Sequence, residues 1–381
     1  MADRYNRDGA KIVVLVNGAG YEGWLQSEIS RSIESLAGTF SIPVSLVPGM
    51  PPDIQRGAGV RVKVGARVLI DGYVLSAEPF YRHGDCGMRV VGRDRTGDLV
   101  RSTAIHKGGQ WRNASLLNIV QDLVRPFGLS TLVDTDLGAV IQDFKLNHGE
   151  SVLDAISRAA RLRGVLLTTT TDEASFNGVP AGQIWLTRAG QKKFKGAIRR
   201  GHNVISMEGI GTDENRHSSY TAYGQGNTVA DFEHARGLKA QATDADITRW
   251  CPLVINADGN TTQAELKTLV DHTARVRLGH SKGFKYTVEG WTFENEPWPL
   301  NQRVAIYDDV AGLDGAEWLI CAVRQTCDLK EGDVTELTVR PLEAYDTAPL
   351  KTKVKRRNFG NKGNTSSHPR GPRDGAQGGA R

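Results

Sequence analysis

The sequence predicts a mainly β protein with α+β parts: two related antiparallel β-barrel domains plus two smaller α/β modules. The first observation is a series of short runs rich in β-branched residues, separated by turn residues, near the N-terminus. The second is a pair of amphipathic helices with capping signals between residues 104 and 190. The third is a set of strand-like runs near the C-terminus that repeats the layout of the first set.

The N-terminal runs begin with Ile12-Val-Val-Leu-Val16, which precedes Asn17-Gly18. Asn-Gly between two apolar runs favours a tight hairpin turn. Pro43 lies inside a later run and suggests an edge strand, because proline offers no N–H to a neighbouring strand. The runs cover residues 11–16, 21–33, 40–46, 60–64, 68–75 and 88–92. Together they predict a first β-barrel domain over residues 1–103.

Residues 104–190 change character and predict a small α+β module. Two segments place apolar residues three and four positions apart, the spacing of an amphipathic helix. Each ends at a glycine, which is a usual helix stop signal, and the second opens with a capping box that has Asp in place of the usual Glu. The signals are Gly128 for the first helix, and Ser151, Asp154 and Gly164 for the second. Runs at 165–171 and 183–187 then predict a hairpin.

The remaining chain predicts a second barrel that is interrupted by an insertion. Residues 231–261 are rich in loop formers and suggest irregular structure, and Thr262-Gln-Ala-Glu265 is a capping box that opens a helix ending near Gly279. Strand-like runs lie at 204–209, 219–224, 284–288, 291–293, 303–307, 317–323 and 335–341. We therefore expect a discontinuous second β-barrel domain at 191–230 and 300–347, an inserted helix-containing module at 231–299, and a basic disordered tail at 348–381.

Two passages share a layout of three strands at similar intervals. In both, the second strand is apolar at nearly every residue. The first passage comprises residues 60–64, 68–74 and 87–94, and the second comprises residues 304–307, 318–323 and 335–341. The layout indicates two copies of one barrel. Because residue identity between the passages is low, chance similarity between β-hairpins stays open as the alternative.

The formal net charge of +5 is unevenly distributed. Residues 351–381 contribute +8, so residues 1–350 carry −3 and form a mildly acidic body with a basic tail. A basic tail is typical of nucleic-acid or acidic-protein partners, and also of a solvated terminus. No apolar run reaches the roughly 18–20 residues that span a bilayer, so no membrane insertion is expected. The four cysteines are scattered and predict no disulfide framework.

No catalytic, cofactor-binding or metal-binding residues are predicted, and no cofactor. The segment Gly18–Gly23 fits a dinucleotide-binding pattern by its letters, but a strand-like run follows it instead of the required helix. His83 and Cys86 supply two metal ligands where zinc needs three or four. The remaining polar candidates lie in turn-like stretches or on the predicted helix, and the tryptophans read as anchors for cores or interfaces. These are Asp244, Asp246, Asp308, Asp309, Asp271 and His272, and Trp111, Trp250, Trp291, Trp298 and Trp318.

Five strings in register nevertheless resemble a known family. They run in order along nearly all of the chain expected to fold, at 31–40, 92–99, 108–113, 158–166 and 246–258. The most distinctive are Gly92-Arg-Asp-Arg-Thr-Gly-Asp-Leu99 and Gly108-Gly-Gln-Trp-Arg-Asn113. The set resembles the baseplate hub proteins of bacteriophage Mu and Mu-like phages, a family of contractile-tail hubs. More distantly, it resembles the hub part of type VI secretion spike proteins.

The resemblance implies a structural protein and not an enzyme. It implies a homotrimer in which three chains supply a ring of six barrels, matching a threefold central spike to a sixfold tail tube. The implied partners are the central spike protein, tail tube or distal-tube baseplate proteins, and DNA that passes through the lumen without sequence-specific binding. The implied location is the tail baseplate of the virion, after synthesis in the host bacterial cytoplasm.

Two other functions remain as alternatives at this point. A tail-associated cell-wall-degrading enzyme would need a pair of carboxylates in a cleft, and no segment is left over to hold one. A nucleic-acid-binding protein would act through the basic tail, where aromatic residues interleaved with basic ones would be expected. Only Phe359 is present there.

Overall fold

The computed structural model describes residues 12–21, 26–45, 54–83, 85–170, 180–225, 238–260, 262–328 and 332–346. Within these residues the protein is mostly β, with several sheets and few helices, which confirms the predicted fold class. The basic tail predicted at 348–381 lies outside the described residues, as does part of the segment Gly18–Gly23. Among the described residues, no helix is long and apolar enough to cross a membrane.

The first half of the large sheet contains seven strands, four of which (β1, β3, β4 and β5) alternate buried and less buried residues. Their neighbours follow the order β3-β4-β7-β6-β5-β1-β2. The turn between β1 and β2 holds Asn17 at φ 49° and Gly18 at φ 88°, which confirms the tight hairpin predicted from Asn-Gly. The strands are β1 (Ile12–Val16), β2 (Ala19–Tyr21), β3 (Ser27–Ser32), β4 (Thr39–Ser45), β5 (Gly59–Val64), β6 (Arg67–Arg82) and β7 (Asp85–Asp94).

Pro43 does not mark an edge strand, because β4 lies between β3 and β7. Strand β3 pairs only with the start of β4, at residues 39–41. Pro43 lies beyond that pairing, where β4 contacts β7 alone and Arg89 is opposite. The prediction of an edge strand is therefore wrong for the strand as a whole, although the missing N–H falls on a stretch that has no second partner among the described strands.

Asp94 ends β7 and anchors the chain that follows it. Its side chain accepts hydrogen bonds from Gly38 N at 2.6 Å, from Thr96 N at 2.9 Å and from the Thr96 hydroxyl. Asp94 belongs to the conspicuous string at 92–99, and its carboxylate ties the loop before β4 to the start of the first helix. Burial raises the pKa of Asp94 to about 6, and the hydrogen bonds oppose that shift only in part.

This carboxyl group gives a pH-dependent prediction. Because the folded pKa is raised, Asp94 contributes stability below pH 4 that is lost as the pH rises through about 6. Denaturant unfolding of wild type and Asp94→Asn across pH 4 to 7 measures this contribution, since asparagine does not titrate. We expect the wild-type advantage in the free energy of unfolding to shrink by about 2 kcal/mol over that range. An advantage that grew with pH would contradict the raised pKa.

The α+β module between the two halves agrees with the sequence in its elements. The side chain of Ser151 caps α3, as predicted, and the side chain of Ser115 caps α2. Strands β11 and β12 form the expected antiparallel hairpin, and β9 pairs parallel to β12. Helices α2 and α3 pack together in one core with Trp111 and Phe144. The elements are α1 (Gly97–Arg101), β8 (Gln110–Ala114), α2 (Leu116–Val124), β9 (Thr131–Val133), β10 (Ile141–Lys145), α3 (Val152–Arg161), β11 (Leu166–Thr169) and β12 (Ile184–Thr187).

Two further strands return to the large sheet before an inserted module begins. The insertion is a three-stranded sheet, in the order β16-β15-β17, that packs against a long helix. That helix starts with the predicted capping box of Thr262 and Glu265. The elements are β13 (Lys192–Arg199), β14 (Val204–Gly211), β15 (Ser219–Gln225), β16 (Leu238–Thr243), β17 (Pro252–Asn260) and α4 (Gln263–His280).

The prediction that residues 231–261 are irregular is wrong for β16 and β17. Strand β16 consists of Leu-Lys-Ala-Gln-Ala-Thr, whose alanines and polar residues have weak intrinsic strand preference. Its alternate residues Ala240 and Ala242 pack toward α4, and both strands pair with β15. Strand formation here depends on the neighbouring elements and not on local composition.

The last six strands complete the large sheet and one small hairpin. Strand β18 joins the large sheet, although it lies inside the expected insertion at 231–299, and β15 belongs to the insertion sheet, although it lies inside the expected barrel segment at 191–230. The domain limits themselves stay a prediction. The strands are β18 (Lys282–Glu289), β19 (Thr292–Phe293), β20 (Glu296–Pro297), β21 (Gln302–Asp308), β22 (Leu313–Asp328) and β23 (Gly332–Arg340).

Candidate assembly surface

The large sheet consists of two halves with the same strand order. The first half reads β3-β4-β7-β6-β5-β1, and the second reads β14-β18-β23-β22-β21-β13. The halves differ at their last strand, since β1 is antiparallel to β5 whereas β13 is parallel to β21. The shared order extends the three-strand layout seen in the sequence to six strands.

Irregular positions recur at matching places in the two halves. Strands β6 and β22 are both 16 residues long, and each has two bulges. The extra residues are Leu69 and Leu75 in β6, and Gly315 and Cys321 in β22. The same distance along the chain separates Leu69 from Gly315 and Leu75 from Cys321. Bulges are specific structural features, so their coincidence favours duplication over chance similarity of hairpins.

A second local feature recurs just before β5 and β21. Gly57 N donates to Val74 O at 2.8 Å, and Asn301 N donates to Ile320 O at 3.0 Å. Both Gly57 and Asn301 have positive φ, a conformation that is uncommon for residues other than glycine. The chain therefore enters the two three-strand units in the same way.

The two halves are joined by an antiparallel seam, in which β3 pairs with the second part of β22. The pairing runs from Ser32 opposite Ala322 to Ser27 opposite Cys327. Ile33 N donates to Cys321 O at 2.9 Å and extends the ladder by one bond. Along this same edge of β22, β21 pairs with residues 313–319 and β3 pairs with residues 322–327.

Buried polar side chains hold the seam in register. Arg31 on β3 is buried, and its Nη2 donates to Trp298 O at 3.1 Å and to Gln325 Oε1 at 3.5 Å. Gln325 on β22 donates through Nε2 to Trp291 O at 3.0 Å. A slip by one residue would move these groups to the other face and leave buried donors unsatisfied, which costs about 1–3 kcal/mol for each group.

An ion pair lies on the more exposed face of the same seam. Glu28 Oε2 and Arg324 Nη2 are 2.9 Å apart, and this contact raises the pKa of Arg324. Both side chains are well exposed, so the pair contributes little to stability. Sequence reasoning assigned no contact to Arg31 or Gln325. For Arg31, the available signal was a charged residue at an inward position of an alternating strand.

Four strands of the large sheet have an edge without a partner among the described residues: β2, β13, β14 and the second part of β6. Two of these edges, on β14 and on β6, correspond to the strands that form the seam inside the chain. Strand β14 pairs only with β18, and it contains no buried residue. Beyond Leu75, β6 pairs only with β7. Large apolar side chains are exposed on these two strands: Ile205 on β14 is 53% exposed, and Tyr81 on β6 is 87% exposed. Unpaired edges with exposed apolar residues are typical of surfaces that another strand covers.

The carboxylate pairs singled out in the sequence have structural partners. Asp308 is buried, and it accepts hydrogen bonds from the Tyr286 hydroxyl at 3.0 Å and from Val310 N at 3.0 Å. Asp309 forms a surface ion pair with Arg200 at 2.8 Å, which lowers the pKa of Asp309. Both residues therefore organise the turn between β21 and β22.

Asp244 and Asp246 both bind Arg216, with N–O distances of 2.8 Å. The hydrogen bond from Arg216 lowers the pKa of Asp244, and the same contact raises the pKa of Arg216. This cluster fixes the loop between β16 and β17 to the start of the insertion, so it explains these carboxylates structurally. In helix α4, Asp271 pairs with Lys267, and the ring of His272 contacts Asp346 O at 2.7 Å.

Among the described residues, no group of three or more His, Cys, Asp or Glu side chains is placed to hold a metal ion. Cys86 is exposed, as is His83. Trp111, Trp291 and Trp298 are buried core residues, whereas Trp250 is 89% exposed. Within the described residues, the features left for a contact with other chains are therefore the unpaired strand edges.

Comparison with known proteins gives matches along almost the whole chain. Residues 11–94 match a family model described as Mu phage baseplate assembly protein GpP-like, N-terminal. Residues 96–173 match one described as baseplate hub protein gp44-like, second domain. The baseplate hub protein gp44 of Escherichia phage Mu is 28% identical over 361 residues, covering 92% of each chain. The chain is a homologue of the Mu baseplate hub protein.

Solved structures agree with this homology. The 43 kDa tail protein of prophage MuSo2 from Shewanella oneidensis is 29% identical, with a TM-score of 0.76 over 89% of this chain and all of that one. An E. coli type VI secretion component shares the fold at 12% identity, with a TM-score of 0.55 over 88% of this chain and 80% of that one. The predicted resemblance to the Mu-like hub proteins is confirmed, and so is the predicted function as a structural baseplate hub protein of a phage tail.

Proposed function

We propose that the chain forms a homotrimeric ring at the centre of a contractile-tail baseplate. In this ring, three chains supply six related barrels, two from each chain, which adapt a threefold central spike to a sixfold tail tube. The partners are then the spike protein on one side and tail tube or distal-tube baseplate proteins on the other. DNA passes through the lumen without sequence-specific binding. The chain acts structurally and not as an enzyme.

The observation that supports this proposal is the duplication within the large sheet. A protein with one β-unit per chain would present three equivalent units in a trimer. This chain carries two halves with matching strand order and matching bulges, so a trimer presents six similar units. An adapter between threefold and sixfold symmetric structures requires this relation.

Charge is compatible with DNA passage. Residues 1–350 carry a formal net charge of −3, so the body has no overall attraction for the phosphate backbone. The proposed location is the virion tail, after synthesis in the host bacterial cytoplasm. The homologue in phage Mu bears the description of a baseplate hub protein, which supports the location.

The mass of the purified full-length chain in solution tests the ring. One subunit is 41.5 kDa, and we expect a species of about three times that mass by light scattering and sedimentation velocity. The species should persist on dilution, because an interface that completes a sheet is large and obligate. A monomer or dimer at every concentration would contradict the trimer. Because the mass is read on the unmodified chain, this test is independent of which strands form the contact.

A further inference from the structure

We infer that β14 of one copy pairs antiparallel with the second part of β6 of the next copy, in the register that β3 uses with β22 inside the chain. This inference rests on the proposed trimer and adds its contact strands and register. It assigns a second copy of this chain to the unpaired edges of β14 and of the second part of β6. Each edge has an equivalent strand inside the chain, and these two equivalents, β3 and the second part of β22, are already paired with each other.

The first edge, β14, is the equivalent of β3. Each is the first strand in its half and pairs with the second strand, β18 or β4. The pairing fixes equivalent residues: Ile29 lies opposite Phe40, and Gly209 lies opposite Phe284. Strand β3 alternates buried and half-buried residues because β22 covers its other edge. Strand β14 has no such cover, and none of its residues is buried.

The second edge, β6 beyond Leu75, is the equivalent of β22 beyond Cys321. In both strands the bulge residue is followed by a stretch that the preceding strand, β5 or β21, no longer covers. In β22 this stretch is paired with β3. In β6 it has β7 on one side only among the described strands, and Leu75 and Tyr81 are exposed on it.

Transfer of the internal seam gives a residue-level register. Ser30 lies opposite Arg324 in the seam, and their equivalents are Ile210 and Glu78. Gly211 then lies opposite Ala77, and Glu208 lies opposite Phe80. The bond from Ile33 N to Cys321 O shows that hydrogen-bonded pairs begin there and alternate, so Ser30 and Arg324 form a pair without hydrogen bonds. Ile210 and Glu78 inherit that geometry, in which Cβ atoms lie closest.

Two differences make this contact weaker than the internal seam. Pro79 takes the place of Gln325 and has no N–H to donate, so Gly209 O loses one ladder bond. The ion pair of Glu28 with Arg324 is not repeated either, because Glu208 and Glu78 stand at those positions. The proline also suits a strand edge that is open before assembly, since it discourages pairing with unrelated strands. The inferred contact is therefore specific to this register and forms after the chain has folded.

The inferred contact closes a ring. Each chain has one internal seam, between β3 and β22, and one free edge of each kind. Three copies joined by β14 and β6 would then have six equivalent junctions, three within chains and three between them. Eight strands of each copy, from β14 to β6 in sheet order, would form one continuous sheet around the lumen.

Disulfide trapping tests the register. Cys86 is exposed, so Cys86→Ser is made in every variant to remove a competing thiol. The test variant adds Ile210→Cys and Glu78→Cys, and the matched control adds Ile210→Cys and Ser76→Cys, which lies two residues away on the same face. Copper phenanthroline with dioxygen oxidises thiols that meet, and a non-reducing gel reads the product. Only the opposed pair has Cβ atoms near the 3.5–4.5 Å that a disulfide requires.

We expect the test variant to give covalent dimers and trimers that collapse to 41.5 kDa on reduction, with at least tenfold less product from the control. Variants with either single cysteine should give no trimer. If the unmodified chain is a trimer but the control pair, Ile210→Cys with Ser76→Cys, reacts as well as the test pair or better, the inferred register is overturned and the proposed ring is not. If the chain is a trimer and neither pair reacts, the strand assignment is overturned. If the chain is never a trimer, both proposals are overturned.

Discussion

Trp298→Ala is expected to reduce the free energy of unfolding by about 3–5 kcal/mol, because the tryptophan is buried in the core of the second half and its removal leaves a large cavity. The indole lies 5.3 Å from the ring of Phe194 and 5.8 Å from that of Phe293, measured between ring centroids. Its backbone oxygen accepts the hydrogen bond from buried Arg31. The cavity therefore opens beside the seam between the halves. Denaturant unfolding monitored by far-UV circular dichroism, a signal that does not depend on tryptophan fluorescence, measures the loss.

Trp250→Ala is the matched control for this change. The same atoms are removed, but Trp250 is 89% exposed, so the free energy of unfolding should change by less than about 0.5 kcal/mol. Equal losses for the two variants would show that residue type, and not burial, sets the effect. A loss below about 1 kcal/mol for Trp298→Ala would contradict the packing around Phe194 and Phe293.

Gly72→Ala is expected to cost on the order of 3 kcal/mol, because there is no room for a side chain between β6 and β7. A Cβ atom at Gly72 would lie 1.9 Å from Arg93 O and 2.5 Å from Asp94 Cα. Both neighbours are backbone atoms, so no side chain can turn away to relieve the contact. The two strands would have to separate next to Asp94, which anchors the following loop. The variant should therefore also lower the cooperativity of thermal unfolding.

Gly59→Ala provides the control on the neighbouring strand. Gly59 belongs to β5 and lies opposite Tyr73 of β6. A Cβ atom at Gly59 would meet no atom within 4 Å. Its φ is not in the left-handed region, so we expect a change of at most about 0.5 kcal/mol, measured by the same denaturant series. If Gly72→Ala were as mild as Gly59→Ala, the close approach of β6 to β7 at Asp94 would be wrong.

The close approach at Gly72 belongs to one half only. The equivalent position on β22 is Trp318, whose ring packs on Phe284 with centroids 5.1 Å apart. The two halves thus keep the same strand order with different side chains at matching places. This explains why the duplication shows in the strand layout and hardly at all in residue identity.

Features decided by neighbouring residues could be predicted from the sequence. Asn17-Gly18 makes a tight turn because two consecutive residues there need positive φ, and Ser115 and Thr262 cap helices because their side chains reach backbone N–H groups three residues on. The apolar spacing of α2 and the β-branched strands likewise carry their structure locally. The sequence also carried the family resemblance, and it contained no recognisable catalytic motif.

Features that depend on pairing between distant segments were decided by the tertiary structure. Strands β16 and β17 form because β15 lies between them, and β18 joins the large sheet although a helix-containing insertion precedes it. Arg31 is buried because β3 pairs with β22. Arg31 and its partner Gln325 on β22 are 294 residues apart in the sequence. A strand's neighbour is chosen by contacts that local composition does not contain. The sequence by itself determined which residues form most of the strands and helices, whereas the long-range pairing of β3 with β22 determined how the two halves join and which edges they leave open.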